Sequence, residues 1–259
     1  MTTERDITTR IAQIGLSAKG VVYIIIGALA FMAAFELGRQ NADEATRSGA
    51  FEWLQATGGK LLLGLIAAGL ICYVFWRFYQ TFSKHHDAKL PKRFTYFFSA
   101  LAYGSVAFSA LKMVFKDENN NGDQNQQLAS DLMSRPLGEW LVIAAALVFA
   151  GIGIYQLYYA WSKKYKDHLQ KMNLENDISK VLLRMGKIGY AARGFVWLLV
   201  AFLFTRAALH HNASEAGDTG KAFQFIEGGY MGSYILGAIG LGLIAYGIFS
   251  ITRARYERF

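Results

Sequence analysis

Long apolar blocks alternate with polar connections along the whole chain. Six blocks cover residues 14–35, 59–79, 94–115, 137–160, 188–209 and 230–251. At about 1.5 Å of rise per residue, a helix of this length crosses the ~30 Å hydrocarbon core of a bilayer. The second block runs from Leu61 to Trp76 without a charged side chain, so it lacks the polar stripe of a soluble helix. The pattern predicts an all-α membrane protein with six transmembrane helices.

The first helix of the predicted bundle has a second copy later in the chain. The stretch Ile188 to Leu199, IGYAARGFVWLL, matches Ile14 to Ile25, IGLSAKGVVYII, at five positions without a gap. A weaker copy begins at Phe94. Internal similarity of this kind indicates a repeat architecture.

The second, fourth and sixth blocks share a Gly-x-x-x-Tyr core. Residues four apart lie on one helix face, where Gly lets two backbones approach and Tyr can hydrogen-bond across the bundle. We interpret the following residues as helix-packing positions: Gly69 with Tyr73, Gly151 with Tyr155, and Gly242 with Tyr246. The prediction is a single membrane domain, 1–259, made of three tandem helical hairpins at about 7–80, 93–161 and 178–252. A pseudo-threefold axis relates the hairpins.

Basic residues are distributed unevenly between the connections. Of the 27 Lys and Arg, 19 lie at the two termini and in the second and fourth connections, and 8 lie in the other three. The positive-inside rule therefore predicts that both termini are cytoplasmic. It also explains the net charge of +8 without nucleic acid as a partner. The expected location is the cytoplasmic (inner) membrane, with membrane lipids as partners.

Residues typical of catalysis or metal binding are absent from the middle of the spans. The five histidines lie in connections on both sides of the membrane: His85, His86, His168, His210 and His211. They cannot together ligate one metal or haem. No Asp or Glu lies near the middle of a span, so a proton relay has no carrier. We predict no catalytic residues, no metal, no cofactor and no enzymatic activity.

Two outer connections carry local signals. Phe51 to Leu54 contains aromatics that predict a short helix at the outer interface. Asp117 to Gly122 fits the first half of a calcium-binding loop, but Leu128 stands where such a loop needs a bidentate Glu. A solvated loop is the favoured interpretation, and calcium binding by Asp117 to Leu128 stays open.

The candidate site consists of cations placed within the spans. Lys19 and Arg193 occupy matching positions five residues into their blocks, and aligning Gly104 with Gly27 puts Tyr96 at the same level. Three hairpins around one axis would join these side chains into a basic ring that meets anions or lipid phosphates. The simpler alternative is that the long side chains snorkel to the cytoplasmic interface.

The motifs resemble a known family. They are Gly-Tyr-Ala-Ala-Arg-Gly from Gly189, Gly-Leu-Ser-Ala-Lys-Gly from Gly15, and the small-residue helices around Tyr73, Tyr155 and Tyr246. Together they resemble the bacterial three-repeat membrane family catalogued as domain of unknown function 1206. The resemblance implies six helices in a bacterial cytoplasmic membrane, and it implies no activity.

Two classes of function remain. The first is a non-enzymatic packed helical bundle with a structural or lipid-interacting role, which the scarcity of polar groups in the spans favours. The alternative is a channel or carrier for a small solute or anion along the pseudo-threefold axis.

Overall fold

A computed structural model describes residues 2–37, 41–82, 90–116, 130–131, 138–162 and 176–256. Within these ranges the chain is helical and contains no strand. The helices are α1 (Thr2–Ala34), α2 (Arg47–Phe82), α3 (Leu90–Lys116), α4 (Gly138–Ser162), α5 (Asn176–Leu209), α6 (Thr219–Glu227) and α7 (Gly232–Tyr256). All except α6 include a stretch long and apolar enough to cross a bilayer. The prediction of an all-α membrane protein with six spans is confirmed.

Gly59 divides α2 into two segments. Its φ of 66° and ψ of −178° form a conformation that only glycine adopts readily. The first segment, residues 47–58, is called the arm below, and the second, residues 60–82, is the predicted span. Phe51 and Leu54 of the arm belong to the same buried core as Ile26 and Leu29 of α1. The short helix predicted here exists, but Phe51 and Leu54 enter the bundle core, while Trp53 is 39% exposed.

The spanning helices follow a cyclic order. The packed pairs are α1 with α2, α2 with α3, α4 with α5, α5 with α7, and α7 with α1. The second helix of each repeat therefore contacts the first helix of the next repeat. These contacts are α2 with α3, α4 with α5, and α7 with α1. Three tandem hairpins with pseudo-threefold symmetry have this order.

Opposed glycines join α1 to α7. A Cβ atom on Gly20 would lie 2.8 Å from the carbonyl oxygen of Gly247, and one on Gly27 would lie 2.5 Å from that of Gly240. Small residues at membrane helix contacts allow this closeness. The interface that joins the third repeat to the first is thus formed by direct backbone contact.

The contact between α4 and α5 repeats the same design and fixes the register of the second repeat. A Cβ atom on Gly194 would lie 3.0 Å from the carbonyl oxygen of Gly153. Since Gly194 aligns with Gly20, Gly153 is the structural equivalent of Gly247. Equivalent residues of the second and third repeats are therefore 94 positions apart.

The first and third hairpins are closed by the predicted Gly-x-x-x-Tyr cores. A Cβ atom on Gly69 would lie 2.5 Å from the Cβ of Ala18, and one on Gly242 would lie 2.5 Å from the Cβ of Ala192. One turn further, Tyr73 packs on Gly15 and Tyr246 packs on Gly189. These glycines and tyrosines occupy matching helix contacts in the two hairpins.

The second hairpin differs, and the packing predicted for Gly151 and Tyr155 does not occur in the part of the chain that the structure describes. A Cβ atom on Gly151 would meet nothing within 4 Å, and Tyr155 is 56% exposed. The reason is register. The residue 94 positions before Gly242 is Val148, so the apparent motif is displaced by three residues from the helix contact.

Short elements cover the end of the bundle opposite the chain termini, called the loop end below. Asp218 caps α6, because its side chain accepts a hydrogen bond from the backbone N–H of Gly220 at 2.8 Å. Gly220 lies so close to the carbonyl oxygen of Asp43 that no side chain would fit there. The turn Ala42–Glu44 and α6 therefore pack together over the loop end. The loop for which calcium was considered, Asp117 to Leu128, lies outside the described residues.

Candidate functional site

Lys19 lies inside the bundle rather than at its surface. Only 6% of the residue is exposed. Its Nζ donates a hydrogen bond to the hydroxyl of Tyr73 at 3.2 Å. The same atom lies 4.8 Å from the ring centre of Tyr103 and 5.5 Å from that of Tyr246. Rings from α2, α3 and α7 therefore surround a lysine from α1 at cation–π distances.

Arg193 points into the same region from α5. Its guanidinium carbon lies 4.8 Å from the ring centre of Tyr23 and 4.2 Å from that of Tyr246. The side chain is close enough to Lys19 for the two positive charges to repel each other. Its Nε is buried and has no hydrogen-bond partner among the described residues. Lys19 and Arg193 thus meet around Tyr246, but Arg193 retains an unused donor.

The third residue of the predicted ring, Tyr96, lies against another cation. Its ring centre is 5.1 Å from the guanidinium carbon of Arg77. The Nε of Arg77 donates to the hydroxyl of Tyr73 at 2.8 Å, so Tyr73 accepts from both Arg77 and Lys19. The α3 residue that reaches Lys19 is Tyr103, which is two helical turns beyond Tyr96. Tyr96 is therefore joined to Lys19 only through Arg77 and Tyr73.

Arg47 and Tyr103 were not identified from the sequence. Arg47 begins the arm, and its guanidinium carbon lies 5.9 Å from the ring centre of Tyr103. It lines a common cavity with Tyr23, whose hydroxyl lies 3.4 Å from that of Tyr103. The sequence placed Arg47 in an outer connection, and only the turn at Gly59 brings it inside.

These side chains form one group, the cation–tyrosine cluster, whose members are Lys19, Arg47, Arg77, Arg193, Tyr23, Tyr73, Tyr103 and Tyr246. Across the described ranges, no ion pair joins any of its four cations to a carboxylate, and the ion pairs found lie at the loop end. Buried charges are normally paired, because desolvation of each ion disfavours folding by several kcal/mol. Tyrosine hydroxyls and ring faces offset part of this cost. The cluster retains an uncompensated positive charge.

A small cavity adjoins the cluster on the side of the loop end. Its volume is about 30 Å³, which is room for about two water molecules. Its polar lining comes from Arg47, Arg193, Tyr23 and Thr219. The two arginines therefore face a small space that has both polar and apolar walls.

The loop-end histidines form separate pairs. The Nδ1 of His210 lies 2.8 Å from a carboxylate oxygen of Glu215, and that of His211 lies 2.6 Å from one of Glu139. The hydrogen bond from His210, aided by Arg206, holds the pKa of Glu215 below its usual range. No group of three or more metal-ligating side chains lies together among the residues searched, which exclude His85, His86 and His168.

Comparison with known proteins supports the repeat structure. A family model matches the chain three times, over residues 14–84, 94–163 and 188–257. The chain belongs to this family, described as Domain of Unknown Function (DUF1206). The second and third matches are 94 positions apart at both ends, the register that the glycine contacts show. The predicted family resemblance is confirmed.

The DUF1206 chain is also similar to a curated bacterial protein over almost its whole length. It is 27% identical over 254 residues to Uncharacterized protein YxxB of Bacillus subtilis (strain 168), an alignment that covers 96% of this chain and 90% of that protein. No solved structure matches the chain significantly.

The chemistry of the DUF1206 cluster is that of a receptor for negative charge. Lys19, Arg77 and Arg193 supply charged hydrogen-bond donors, and tyrosine hydroxyls supply further polar contacts. Donors of this kind form short, strong hydrogen bonds with phosphate or carboxylate oxygens. Arginine in particular presents a planar set of donors that matches such groups.

Proposed function

We propose that this membrane protein binds an anion at the cation–tyrosine cluster, in a structural or lipid-interacting role rather than a catalytic one. The observation that carries the proposal is a group of four cations, one buried and three partly buried, without a paired carboxylate among the described residues. The buried, unpartnered Nε of Arg193 adds to it.

An anion would resolve the electrostatic problem of the cluster. Lys19 and Arg193 both lie against the ring of Tyr246, so their like charges repel each other. Lys19 is 6% exposed and the Nε of Arg193 is buried, so both have lost hydration. A phosphate-type group would attract both cations and accept hydrogen bonds that no side chain in the described ranges accepts. The ligand-free bundle and the anion-bound bundle therefore differ most at this point.

The alternative is a channel or carrier for a small anion along the pseudo-threefold axis. The small volume of the cavity, about 30 Å³, favours binding over open passage. We place the end of the bundle that carries the chain termini in the cytoplasm of a bacterium, on the basis of the 19 basic residues assigned to that side.

The test is calorimetric titration of the purified protein with inorganic phosphate. The protein is first exchanged into a neutral detergent until phosphorus analysis finds no co-purified lipid. Wild type should bind phosphate saturably. Arg193→Met should bind roughly 10 to 100 times more weakly, because a hydrogen bond to a charged group contributes about 1.5–3 kcal/mol.

Arg184→Met is the matched control, since Arg184 is an exposed arginine on the same helix. Its affinity for phosphate should equal that of wild type. The proposal would be contradicted if wild type does not bind phosphate saturably. It would also be contradicted if Arg193→Met and Arg184→Met weaken saturable binding equally. Circular dichroism and gel filtration verify that each variant is folded.

A further inference from the structure

One side of the helical ring is open toward the bilayer. Among the described residues, α3 and α4 are not a packed pair, although the corresponding helices of the first and third repeats pack together. Ile152 of α4, the equivalent of Tyr246, is 36% exposed, whereas Tyr246 is 3% exposed. No described residue therefore occupies, in the second hairpin, the face that closes the third.

Side-chain size explains the opening. The third hairpin closes by contact of Gly242 with Ala192. The equivalents in the second hairpin, 94 positions earlier, are Val148 and Phe98, and both are exposed. Valine and phenylalanine cannot approach as closely as glycine and alanine. A lateral cleft with apolar walls results, formed by Phe98 and Ala102 of α3 and by Val148 and Ile152 of α4; we call it the α3–α4 cleft.

Both helices that border the cleft carry a tyrosine close to the bundle centre. Tyr103 extends from α3 to within cation–π distance of Lys19. Tyr159 extends from α4 and packs edge-on against Tyr190 of α5, with ring centres 4.8 Å apart. Both walls thus carry tyrosines toward the bundle centre. Arg77, the cation on the neighbouring helix α2, lies about 7.5 Å from the helix end at Phe82, a depth that a lipid head group reaches.

We propose that the α3–α4 cleft holds one anionic phospholipid. Its phosphate lies at Lys19, between Arg77, which shares the Tyr73 hydroxyl with Lys19, and Arg193, whose Nε has no partner among the described residues. An acyl chain runs over Ala102 and Val148. This inference rests on the proposed function and names its ligand. A lipid fits the cleft, because both of its walls are apolar and the bilayer supplies an acyl chain to lie against them.

Charge and shape each contribute to the recognition. A basic residue near the membrane surface attracts anionic lipid, and here the apolar walls of the cleft add a surface for the acyl chain. The zwitterionic lipid phosphatidylcholine carries the same phosphate but adds a cation of its own. The site should therefore prefer phosphatidylglycerol.

Native mass spectrometry tests the inference. Delipidated full-length protein in neutral detergent is mixed with equal amounts of phosphatidylglycerol and phosphatidylcholine. Wild type should retain one phosphatidylglycerol, with at least a tenfold preference over phosphatidylcholine. Lys19→Met and Arg77→Met should each lose most of that preference.

A variant of the cleft separates lipid binding from anion binding. Ile152→Trp fills the entrance without touching a cation, so it should weaken phosphatidylglycerol binding at least tenfold and leave phosphate titration unchanged. Leu147→Trp is the matched control, because Leu147 and its equivalent Leu241 in the closed hairpin are both exposed; it should bind lipid as wild type does. If Ile152→Trp does not fold, Val148→Phe replaces it.

The outcomes discriminate between the two proposals. If wild type binds phosphate normally but shows no preference for phosphatidylglycerol, the lipid inference alone is overturned. The same holds if wild type shows the preference and neither cleft variant reduces it. Loss of both phosphate and lipid binding in wild type overturns the proposed function as well. A lipid-free dimer, in which a second copy of the chain fills the cleft, also overturns the lipid inference.

Discussion

Replacing Gly27 by alanine should destabilise the protein by separating α1 from α7. The added Cβ atom would lie 2.5 Å from the carbonyl oxygen of Gly240 and 2.8 Å from the backbone nitrogen of Ile244. Both are backbone atoms of a packed helix, so they cannot rotate away as a side chain can. Ordinary contact begins near 3.4 Å. The helices must therefore move apart by most of an ångström.

The magnitude follows from the behaviour of overpacked cores. Such substitutions destabilise by about 1–3 kcal/mol, which corresponds to a fall in melting temperature of roughly 2–12 °C for a chain of this size. The assay is thermal unfolding in detergent, followed by tryptophan fluorescence. Displacement at Gly27 should also loosen Gly20 against Gly247, because the two glycine pairs lie on the same interface.

Gly104→Ala is the control within a span. A Cβ atom on Gly104 would meet nothing within 4 Å, and alanine is the better helix former by about 0.5–1 kcal/mol. The melting temperature of this variant should stay the same or rise slightly. Equal shifts in Gly27→Ala and Gly104→Ala, or a rise in Gly27→Ala, would refute the assigned α1–α7 contact.

Three further outcomes are expected. Tyr73→Phe removes the hydroxyl shared by two cations, so the melting temperature should fall by several degrees, as thermal unfolding would reveal; no change would contradict the hydrogen bonds. The stabilisation from the Glu215–His210 pair is present above the usual carboxyl pKa of about 4.3, and it is lost as pH falls through the lowered pKa of Glu215. Glu215→Gln should therefore make the melting temperature less dependent on pH in that window. A pH profile of melting temperature equal to that of wild type would refute the assigned pair. Reporter fusions at the C-terminus and in the connection between α3 and α4 should report opposite sides of the membrane, and agreement between them would disprove the topology.

The sequence was sufficient to predict the spans and the hairpins. A run such as Leu61 to Trp76 has no charge, so only a membrane suits it, and the similarity of the first and fifth blocks reflects matching contacts such as Gly15 with Tyr73 and Gly189 with Tyr246. Lys19 and Arg193 were also identified, since a cation within an apolar span is rare.

The second repeat could not be placed correctly from glycines alone. Alanine also permits close helix approach, and buried Ala100 and Ala107 of α3 occupy the positions that Gly20 and Gly27 occupy in α1. Aligning Gly104 with Gly27 therefore assigned Tyr96 to the wrong level. Tertiary packing, not local sequence, determined the register.

Arg47 was missed for a different reason. A polar connection between two spans normally stays outside the bundle, and its basic residues are then read as topological. The turn at Gly59 and the burial of Phe51 and Leu54 bring the start of the arm into the core. The sequence signal is the pair Gly58 and Gly59 at the end of the arm. Glycine pairs after amphipathic stretches are too common to predict that the arm enters the core.

The central claim is that an anion neutralises the cations of the cation–tyrosine cluster, and its most direct test is a comparison of thermal stability with and without phosphate. The double variant Lys19→Met, Arg193→Met replaces both repelling charges by apolar groups, so without phosphate it should be at least as stable as delipidated wild type. At 100 times its dissociation constant, phosphate should stabilise wild type by about 2.7 kcal/mol, or roughly 5–11 °C. The double variant should show only the small general effect of phosphate on burial. An equal rise in both proteins, or no rise in wild type, would contradict the account.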